Sequence, residues 1–521
     1  MGSKKRFAIN GFAQVFAFLV SIGITFFLTP YIVSKLGAAA YGFVGLASNF
    51  VSYIQIITIA LNSMAGRFIT ISVHQNKIDE ACKYFSSVFF SNIILIGIIS
   101  IISIVVLYRL EYFVVIPNEL LYDVKILFGC IFLNFFISLI FNVYNVSTFI
   151  RNRLDLSSTR TIIANALKAL LLVGLFYFLD PAVWYIGLAT VISTIYTIGT
   201  NIMFKRRLTP ELQISFKYFD IKSIKELLSA GVWNIVSKFN NILCTGFNLL
   251  LANLFIGPGP MGILSITRRI PELTLSLYER INAIFAPPWT KLYAEGNQED
   301  LHKSIIASLR FFGIISTIPT AFILVFSDHF YQMWMPSQDA KLLYMLTVAA
   351  CFDLPIAMPL QPIYNIYPIT NKIRANSLFG LGLCSLNFVV VLIGLNMTEG
   401  EFTHLMIIAG TSTVFSVLKA LTFLPLYGAH CIKISVRLLY ACTIRSVIAF
   451  IILIIPLFLI KEQITHVSWL STSLCGAACC IFGGIIGYAI ILDKASKQKV
   501  QKNMSKLIIK ITSHFKTYKN S

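Results

Sequence analysis

The chain alternates between long apolar runs and short polar segments, from its first residues nearly to its end. About 20 apolar residues cover the hydrocarbon core of a bilayer, so uncharged runs of this length indicate transmembrane helices. The runs lack the residue-by-residue alternation of a membrane β-barrel. Fourteen spans are predicted, at residues 8–33, 42–66, 84–108, 123–147, 160–180, 183–204, 229–254, 262–286, 304–328, 342–366, 375–396, 403–425, 440–461 and 470–492, and they are numbered 1 to 14 below.

Composition supports lipid as the solvent of this chain. Hydrophobic residues make up 57% of it and charged residues only 12%, whereas soluble domains carry about 25% charged residues. Lys4, Lys5 and Arg6 precede an apolar run of about 25 residues, too long for a cleaved signal peptide, so a retained first span is expected. The ten cysteines lie mostly within spans and are interpreted as small apolar helix residues rather than metal ligands or disulfide partners.

Basic residues give the expected orientation. If the N-terminus is cytoplasmic, 30 of the 42 lysines and arginines fall in inner segments and five in outer ones. Short cytoplasmic loops carry this excess in membrane proteins, so both termini are predicted to be cytoplasmic. The net charge of +20 then reflects topology and attraction to anionic lipids, not nucleic-acid binding. The basic tail, residues 493–521, fits either a surface-lying amphipathic helix or a solvated segment.

An internal repeat appears when the chain is compared with itself at an offset of 220 residues. Paired positions then carry the same or similar residues: Gly37 and Gly257, Gly42 and Gly262, Asn62 and Asn282, Gln14 and Asn234, Ser21 and Asn241, and Thr25 and Thr245. Both copies have the same orientation, which is typical of parallel repeats. The predicted organisation is a six-span lobe at 1–204, a basic linker at 205–228, a second six-span lobe at 229–425, two additional spans at 426–492, and the tail.

A polar stripe runs along span 7. Its members are spaced by three or four residues and therefore share one helix face: Asn234, Lys238, Asn241, Thr245 and Asn248. The repeat-related stripe in span 1 is Gln14, Ser21 and Thr25. Hydrogen bonding between helices explains such stripes in many membrane proteins. The charge of Lys238 favours instead a face that lines a substrate cavity.

Span 8 carries the clearest group of charges inside the predicted membrane region. One face holds three arginines and two glutamates, Arg268, Arg269, Glu272, Glu279 and Arg280, and such a face cannot contact lipid. Glu272 is spaced to pair with both Arg268 and Arg269. Snorkelling of these two arginines to the outer interface is one interpretation. The other is a water-filled substrate cavity with a net positive wall.

Two further charged residues are candidates. Lys168 lies well inside span 5, where it is assigned to the same cavity. Asp353 is the acid of span 10 and is followed by Pro355, Pro359 and Pro362. A helix kinked by proline frees carbonyls that can bind a cation or a proton, so Asp353 is either a coupling residue or a structural hydrogen-bonded carboxyl. No Walker A motif or metal-ligand spacing is present, so no enzyme activity, cofactor or metal is expected.

Short motifs resemble those of bacterial polysaccharide flippases, members of the multidrug/oligosaccharidyl-lipid/polysaccharide exporter superfamily. They are Leu36-Gly37 with Tyr41-Gly42 between spans 1 and 2, the stretch 262–268 of span 8, the stretch 286–296 after it, and 152–155 after span 4. The turn before span 8 reads Gly257-Pro-Gly-Pro, and Arg269 and Glu272 make this span unusually charged. These two features depart from the family pattern.

This resemblance implies a transporter of the bacterial inner membrane that flips an undecaprenyl-diphosphate-linked oligosaccharide by alternating access. The product would be a surface polysaccharide such as O-antigen or capsule. The expected partners are the lipid-linked oligosaccharide, anionic lipids, a polysaccharide polymerase and other assembly proteins. The alternative within the superfamily is a cation-coupled multidrug exporter, which needs acidic groups within the lobes. The centres of the first six spans contain no acid, and this absence favours the flippase.

Overall fold

The computed structural model describes residues 3–464, 466–493, 497–498 and 501, with side chains described from residue 9 onward. These residues form helices joined by short connections, and no strand occurs among them. Twelve helical runs in this part of the chain are long and apolar enough to cross a membrane. The predicted amphipathic tail lies outside the described residues, apart from its first residue and three isolated positions.

The helices account for the fourteen predicted spans. They are Ser3–His74 (spans 1 and 2), Ile78–Tyr108 (3), Leu121–Phe141 with Val146–Ile150 (4), Leu154–Phe178 (5), Trp184–Leu208 (6), Ile221–Asn241 with Asn248–Phe255 (7), Pro258–Thr267 with Arg269–Ala283 (8), Gln298–Trp334 (9), Ala340–Cys351 with Leu354–Ala357 and Ile366–Ile369 (10), Ile373–Met397 (11), Glu401–Leu421 with Phe423–Ile432 (12), Val436–Glu462 (13) and Trp469–Ile486 (14). Shorter elements between spans include the helices Leu110–Phe113 and Ala286–Ala294.

Two features explain why twelve helical runs, rather than the fourteen predicted spans, are long enough to cross a membrane. The first run contains spans 1 and 2, because Gly37 breaks the helix with a φ of 82° and a ψ of 165°. Span 8 is divided at Arg268 into helices of 10 and 15 residues, each shorter than a bilayer requires. With these two differences explained, the predicted all-α membrane fold is confirmed.

Several spans depart from regular α-helix, as helices do where other groups can satisfy the freed backbone. Span 10 changes to a 3₁₀-helix at Met358–Asn365, because proline has no N–H to donate and its ring clashes with the preceding turn. The predicted kink is therefore present. Span 7 contains a π-helical turn at Ile242–Gly246, whose Gly246 carbonyl accepts hydrogen bonds from Asn49 Nδ2 and Tyr53 Oη, each at 2.8 Å.

The turns before spans 2 and 8 are built alike. Gly37 and Gly257 both adopt a positive φ, a conformation that is free of strain only for glycine. Five residues later, Gly42 and Gly262 lie against each other. A Cβ atom on Gly42 would stand 2.9 Å from the Gly262 Cα. The repeat seen in the sequence is therefore also a repeat of local backbone structure at these turns.

The chain forms two compact units. The first comprises residues 1–266 and 377–408, and the second comprises 267–376 and 409–521. A core of the first unit surrounds Leu61, Ile69 and Phe85. A larger core of the second surrounds Phe312 and Ile363. The boundary at 266 falls within span 8, so the compact units do not coincide with the sequence-based lobes at 1–204 and 229–425, and these lobes stay a prediction.

The connection between spans 6 and 7 is shorter than the linker expected at 205–228. The helix of span 6 continues to Leu208 and that of span 7 begins at Ile221, so most of the basic residues lie on helix ends. The connection packs against span 3: Leu212 is fully buried, and Ser86 Oγ donates to the Gln213 carbonyl at 3.1 Å. This segment is thus fixed by specific contacts rather than solvated along its length.

Candidate functional site

The polar stripe of span 7 makes different contacts along its length, all within the first unit. Asn234 Nδ2 donates to Ser63 Oγ of span 2 at 2.8 Å. The buried Asn248 donates through Nδ2 to the Ile408 carbonyl at 3.3 Å. Lys238 between them is half-buried, and none of the described residues pairs with its ammonium group. Hydrogen bonding between helices therefore explains the two ends of the stripe but not its charge.

The remaining two members of the stripe are within one turn of each other. Asn241 is exposed, and its carbonyl accepts a hydrogen bond from Thr245 Oγ1 at 3.0 Å. Such a bond from a side chain to the preceding turn satisfies the hydroxyl of a threonine inside a membrane. The Asn241 side chain faces outward from the packed part of the helix and is accessible to a ligand.

The related stripe in span 1 meets span 5. Asn165 Nδ2 donates to Ser21 Oγ at 2.7 Å, and Thr25 Oγ1 donates to the Ser21 carbonyl at 2.9 Å. Lys168 follows Asn165 by three residues, so the two side chains lie on the same face of the helix. Gln14 is exposed. The structure thus brings Ser21, Thr25 and the neighbourhood of Lys168 together and leaves Gln14 apart from them.

In the second unit, span 8 shows both ion pairs expected from its spacing. Glu272 carboxylate oxygens lie 3.6 Å from Arg268 and 3.3 Å from Arg269. The side chains of Arg268, Arg269 and Glu272 are 19%, 31% and 48% exposed, so the group is accessible. Arg280 is exposed at the other end of the same helix. By residue count this face carries three arginines and two glutamates, Glu272 and Glu279, and therefore a net positive charge.

Two charged residues of the second unit lie within the helix packing. Asp353 is 8% exposed, and its backbone carbonyl accepts hydrogen bonds from the Ile356 and Ala357 amides at 3.0 and 2.8 Å. The Lys419 ammonium nitrogen lies 5.1 Å from the centre of the Tyr364 ring, a distance at which the ring attracts a cation. Both interpretations of Asp353, as a coupling residue and as a structural carboxyl, stay predictions.

The first unit contains a cavity that the sequence did not indicate. Its volume is about 570 Å³, within the range of about 300–1,000 Å³ that is usual for small-molecule sites. Polar residues from spans 2 and 4 contribute to its wall: Asn62, Ser63, Arg67, Thr70, Asn142 and Asn145. Ser63 connects the cavity to the span 7 stripe through its bond with Asn234. The signal available in the sequence was the row of polar residues at the end of span 2.

Asparagine side chains hold the ends of spans 2 and 4 together, and the second unit repeats the arrangement. Asn142 Nδ2 donates to Asn62 Oδ1 at 3.3 Å. In the second unit, Asn365 Nδ2 donates to Asn282 Oδ1 at 2.9 Å. Asn62 and Asn282 are related by the repeat offset, and Asn142 and Asn365 are related to within three residues of it. The same polar contact is thus built twice from corresponding spans.

The interpretation of all cysteines as small apolar residues is wrong for two of them. Cys244 in the π-helical turn of span 7 and Cys384 of span 11 form a disulfide, with their Cα atoms 5.0 Å apart. They are 140 residues apart in sequence, and only helix packing reveals that they are neighbours. The other eight cysteines are free thiols. No group of three or more metal-ligating side chains occurs in the part of the chain that the structure describes.

The fold is that of multi-pass membrane transporters. The structure of the lipid II flippase MurJ in an inward closed conformation is similar with a TM-score of 0.64 and 13% identity, over 92% of this chain and 99% of that chain. An inward-facing multidrug resistance MATE family transporter of the MOP superfamily is similar with a TM-score of 0.59 and 18% identity, over 80% of this chain and 96% of that one. At these identities, the similarity establishes the architecture.

Sequence comparison adds the family. A family model described as polysaccharide biosynthesis protein matches residues 7–290, which is more than half of the chain. This chain belongs to that family of polysaccharide biosynthesis proteins. The uncharacterized membrane protein EpsK of Bacillus subtilis (strain 168) is 26% identical over 428 residues, which are 81% of this chain and 83% of that protein. The resemblance to polysaccharide flippases drawn from the motifs is confirmed.

Proposed function

We propose that this protein moves an undecaprenyl-diphosphate-linked oligosaccharide from the cytoplasmic to the outer leaflet of the bacterial inner membrane, for surface polysaccharide biosynthesis. The family match and the transporter fold support a cargo of this class. In the proposed orientation both termini are cytoplasmic, in agreement with the distribution of basic residues. Two repeated six-span lobes would alternate in opening to either side.

The net positive charge of the span 8 face, counted from its three arginines and two glutamates, is the observation that carries the proposal. Arg268 and Arg269 share Glu272, and all three are accessible. Guanidinium groups form strong, charge-assisted hydrogen bonds with phosphate oxygens. We propose that they bind the diphosphate or acidic sugars of the cargo, and that Lys238 offers such a contact on the first unit. The exposed Asn241 would donate and accept hydrogen bonds with sugar hydroxyls, while the lipid tail stays in the bilayer.

The test is export by a strain whose chromosomal copy carries both Lys238→Gln and Arg268→Gln. We expect surface polysaccharide to fall at least tenfold while the amount of protein in the membrane is unchanged. Lys303→Gln is the matched control, because Lys303 is exposed and pairs with Glu299 of its own helix. Normal export by the double variant would refute the proposed role of these cations.

The multidrug exporter is the competing function, and the same strains separate the two. A deletion strain that loses surface polysaccharide and keeps its normal drug resistance supports the flippase. Increased drug sensitivity with intact polysaccharide would favour the exporter. Asp353 is the acidic group that such an exporter would use for cation coupling, so Asp353→Asn should then abolish resistance.

A further inference from the structure

The cavity between the end of span 2 and the end of span 4 has free hydrogen-bonding groups of fixed orientation. The Leu139 carbonyl accepts from Asn92 Nδ2 at 2.9 Å, and a carbonyl can only accept. This contact shows which end of the Asn92 side chain is the amide nitrogen, and that nitrogen also donates to Asn62 Oδ1. Asn62 Oδ1 is therefore an acceptor, and Asn142 must bind it through its donor, Nδ2. Among the described residues, Asn142 Oδ1 has no partner, so it presents an acceptor to the cavity.

Asn145 presents the opposite group. Its Oδ1 accepts hydrogen bonds from Arg160 Nη1 at 3.1 Å and from Asn201 Nδ2 at 2.8 Å. A guanidinium only donates, so the atom of Asn145 that contacts Arg160 is the oxygen. The amide nitrogen of Asn145 therefore points away from Arg160 and Asn201. No described residue accepts from that nitrogen. An acceptor on Asn142 and a donor on Asn145, three residues apart on one wall, match the hydroxyl groups of a sugar, each of which both donates and accepts.

Two cations at this cavity lack carboxylate partners. The exposed Arg67 contributes to the wall, and no acidic residue pairs with it within the described part of the chain. Arg160 stands behind Asn145 and contacts only Asn145, Asn201 and Ser157 there. Its Nε is buried and without a partner. The residues outside the described ranges include no Asp or Glu. The partly buried charge of Arg160 is costly unless an anion compensates it, whereas the exposed Arg67 is free to meet an anion in the cavity.

Apolar groups complete the wall. Val146 and Phe149 follow Asn145 on the same stretch of chain, and both line the cavity. Phe149 is 59% exposed, so its ring is available for contact with the apolar C–H face of a pyranose. The cavity therefore combines a positive charge for a phosphate, amide groups of known orientation for sugar hydroxyls, and an exposed ring for a sugar face. This combination matches a ligand that is both a sugar and a phosphate ester.

We propose that this cavity is a binding site for a phosphorylated sugar, with the phosphate on Arg67 and the sugar hydroxyls on Asn142 and Asn145. The identification of this sugar phosphate with the head of the transported lipid rests on the proposed function. In the proposed orientation the cavity lies toward the cytoplasmic ends of spans 2 and 4. The head would therefore occupy it before crossing, when the cargo has just been synthesised in the inner leaflet.

The experiment measures equilibrium binding of two probes to the full chain in phosphatidylcholine nanodiscs. One probe is farnesyl diphosphate, and the other is farnesyl diphosphate carrying one N-acetylglucosamine. Arg67→Gln should weaken both by about tenfold, the loss of one charge-assisted hydrogen bond. Asn142→Ala should weaken only the sugar-bearing probe, by about three- to tenfold. The matched control is Arg437→Gln, an exposed arginine outside the cavity, which should change neither.

Each contrary result overturns the proposal in a distinct way. Unchanged affinity in Arg67→Gln would show that the phosphate binds elsewhere. Equal weakening of both probes by Asn142→Ala would show that the amide does not recognise the sugar. Competition by phosphatidylglycerol at equal concentration would show an ordinary lipid headgroup site. The export assay of Lys238→Gln with Arg268→Gln is independent of these measurements, so failure of the proposed function is distinguishable from failure of this site.

Discussion

Gly42 and Gly262 pack backbone against backbone, although they are separated by 220 residues in sequence. A Cβ atom on Gly42 would stand 2.9 Å from the Gly262 Cα, and one on Gly262 would overlap the Ala38 carbonyl oxygen. A Cβ atom on Gly45 would stand 2.8 Å from the side-chain Oγ of Ser265. The two repeat-related turns are therefore in direct contact, and glycine is required there by the closeness of the two backbones.

Alanine at position 262 should destabilise the protein. The nearest obstacle is backbone, which cannot rotate away as a side chain would, so Gly262→Ala should cost about 1–3 kcal/mol and lower the melting temperature in detergent. Gly97→Ala is the control, because Gly97 lies inside a helix and a Cβ there would meet no atom within 4 Å. This control should be neutral or stabilising. Equal melting temperatures for the two variants would contradict the close contact.

Asn282 should contribute to stability through its side chain. Its Nδ2 donates to the Gln361 carbonyl at 3.2 Å and its Oδ1 accepts from Asn365 at 2.9 Å. Removing a hydrogen-bonding partner from a buried position costs about 1–3 kcal/mol, so Asn282→Ala should lower the melting temperature clearly. Asn396→Ala, at an exposed position, should have little effect. A melting temperature of Asn282→Ala as high as that of the control would argue against the repeated asparagine contact.

The Asp220 carboxylate should stabilise the start of span 7 in a pH-dependent manner. It accepts hydrogen bonds from the Lys222 and Ser223 amides, and the hydrogen bond from the Ser223 hydroxyl is the main cause that lowers its pKa. A lowered folded-state pKa means that the stabilisation is present above the unfolded pKa, about 4, and is lost as the pH falls through the folded value.

Melting temperatures at different pH values test this dependence. Asp220→Ala should cost about 1 kcal/mol at pH 7, the usual value of such a helix cap. The difference from the unsubstituted protein should shrink as the pH falls below about 4. Lys222→Ala is the control, since lysine does not titrate in this range. A difference for Asp220→Ala that is independent of pH would contradict the role of its charge.

The Cys244–Cys384 disulfide should be detectable in the purified protein. Digestion without reductant should release these two cysteines as one linked peptide, while Cys480 remains free for alkylation. Replacement of both by serine should lower the melting temperature, because a disulfide typically contributes about 2–4 kcal/mol. Cys480→Ser, at an exposed position, should not. Complete alkylation of Cys244 and Cys384 without reductant would show that the pair is not formed.

The succession of apolar runs was sufficient to predict the helical spans, for a simple physical reason. Backbone groups in lipid find no water to bond with, so each run must satisfy its own amides as a helix. The local ion pairs of Arg268 and Arg269 with Glu272 followed from helical spacing alone. The family resemblance likewise rested on short motifs, each continuous in sequence. Each of these features depends on residues that are close together in sequence.

Only the tertiary structure decided which distant residues meet. The sequence indicated that Gly42 and Gly262 correspond, but their contact depends on how two turns approach each other. The Cys244–Cys384 pair and the cavity beside Asn142 and Asn145 were missed for the same reason. Each joins side chains on different helices, and the relative rotation and depth of those helices are set by packing over their whole length. Periodicity along one helix identifies its polar face, but it does not determine which other helix packs against that face.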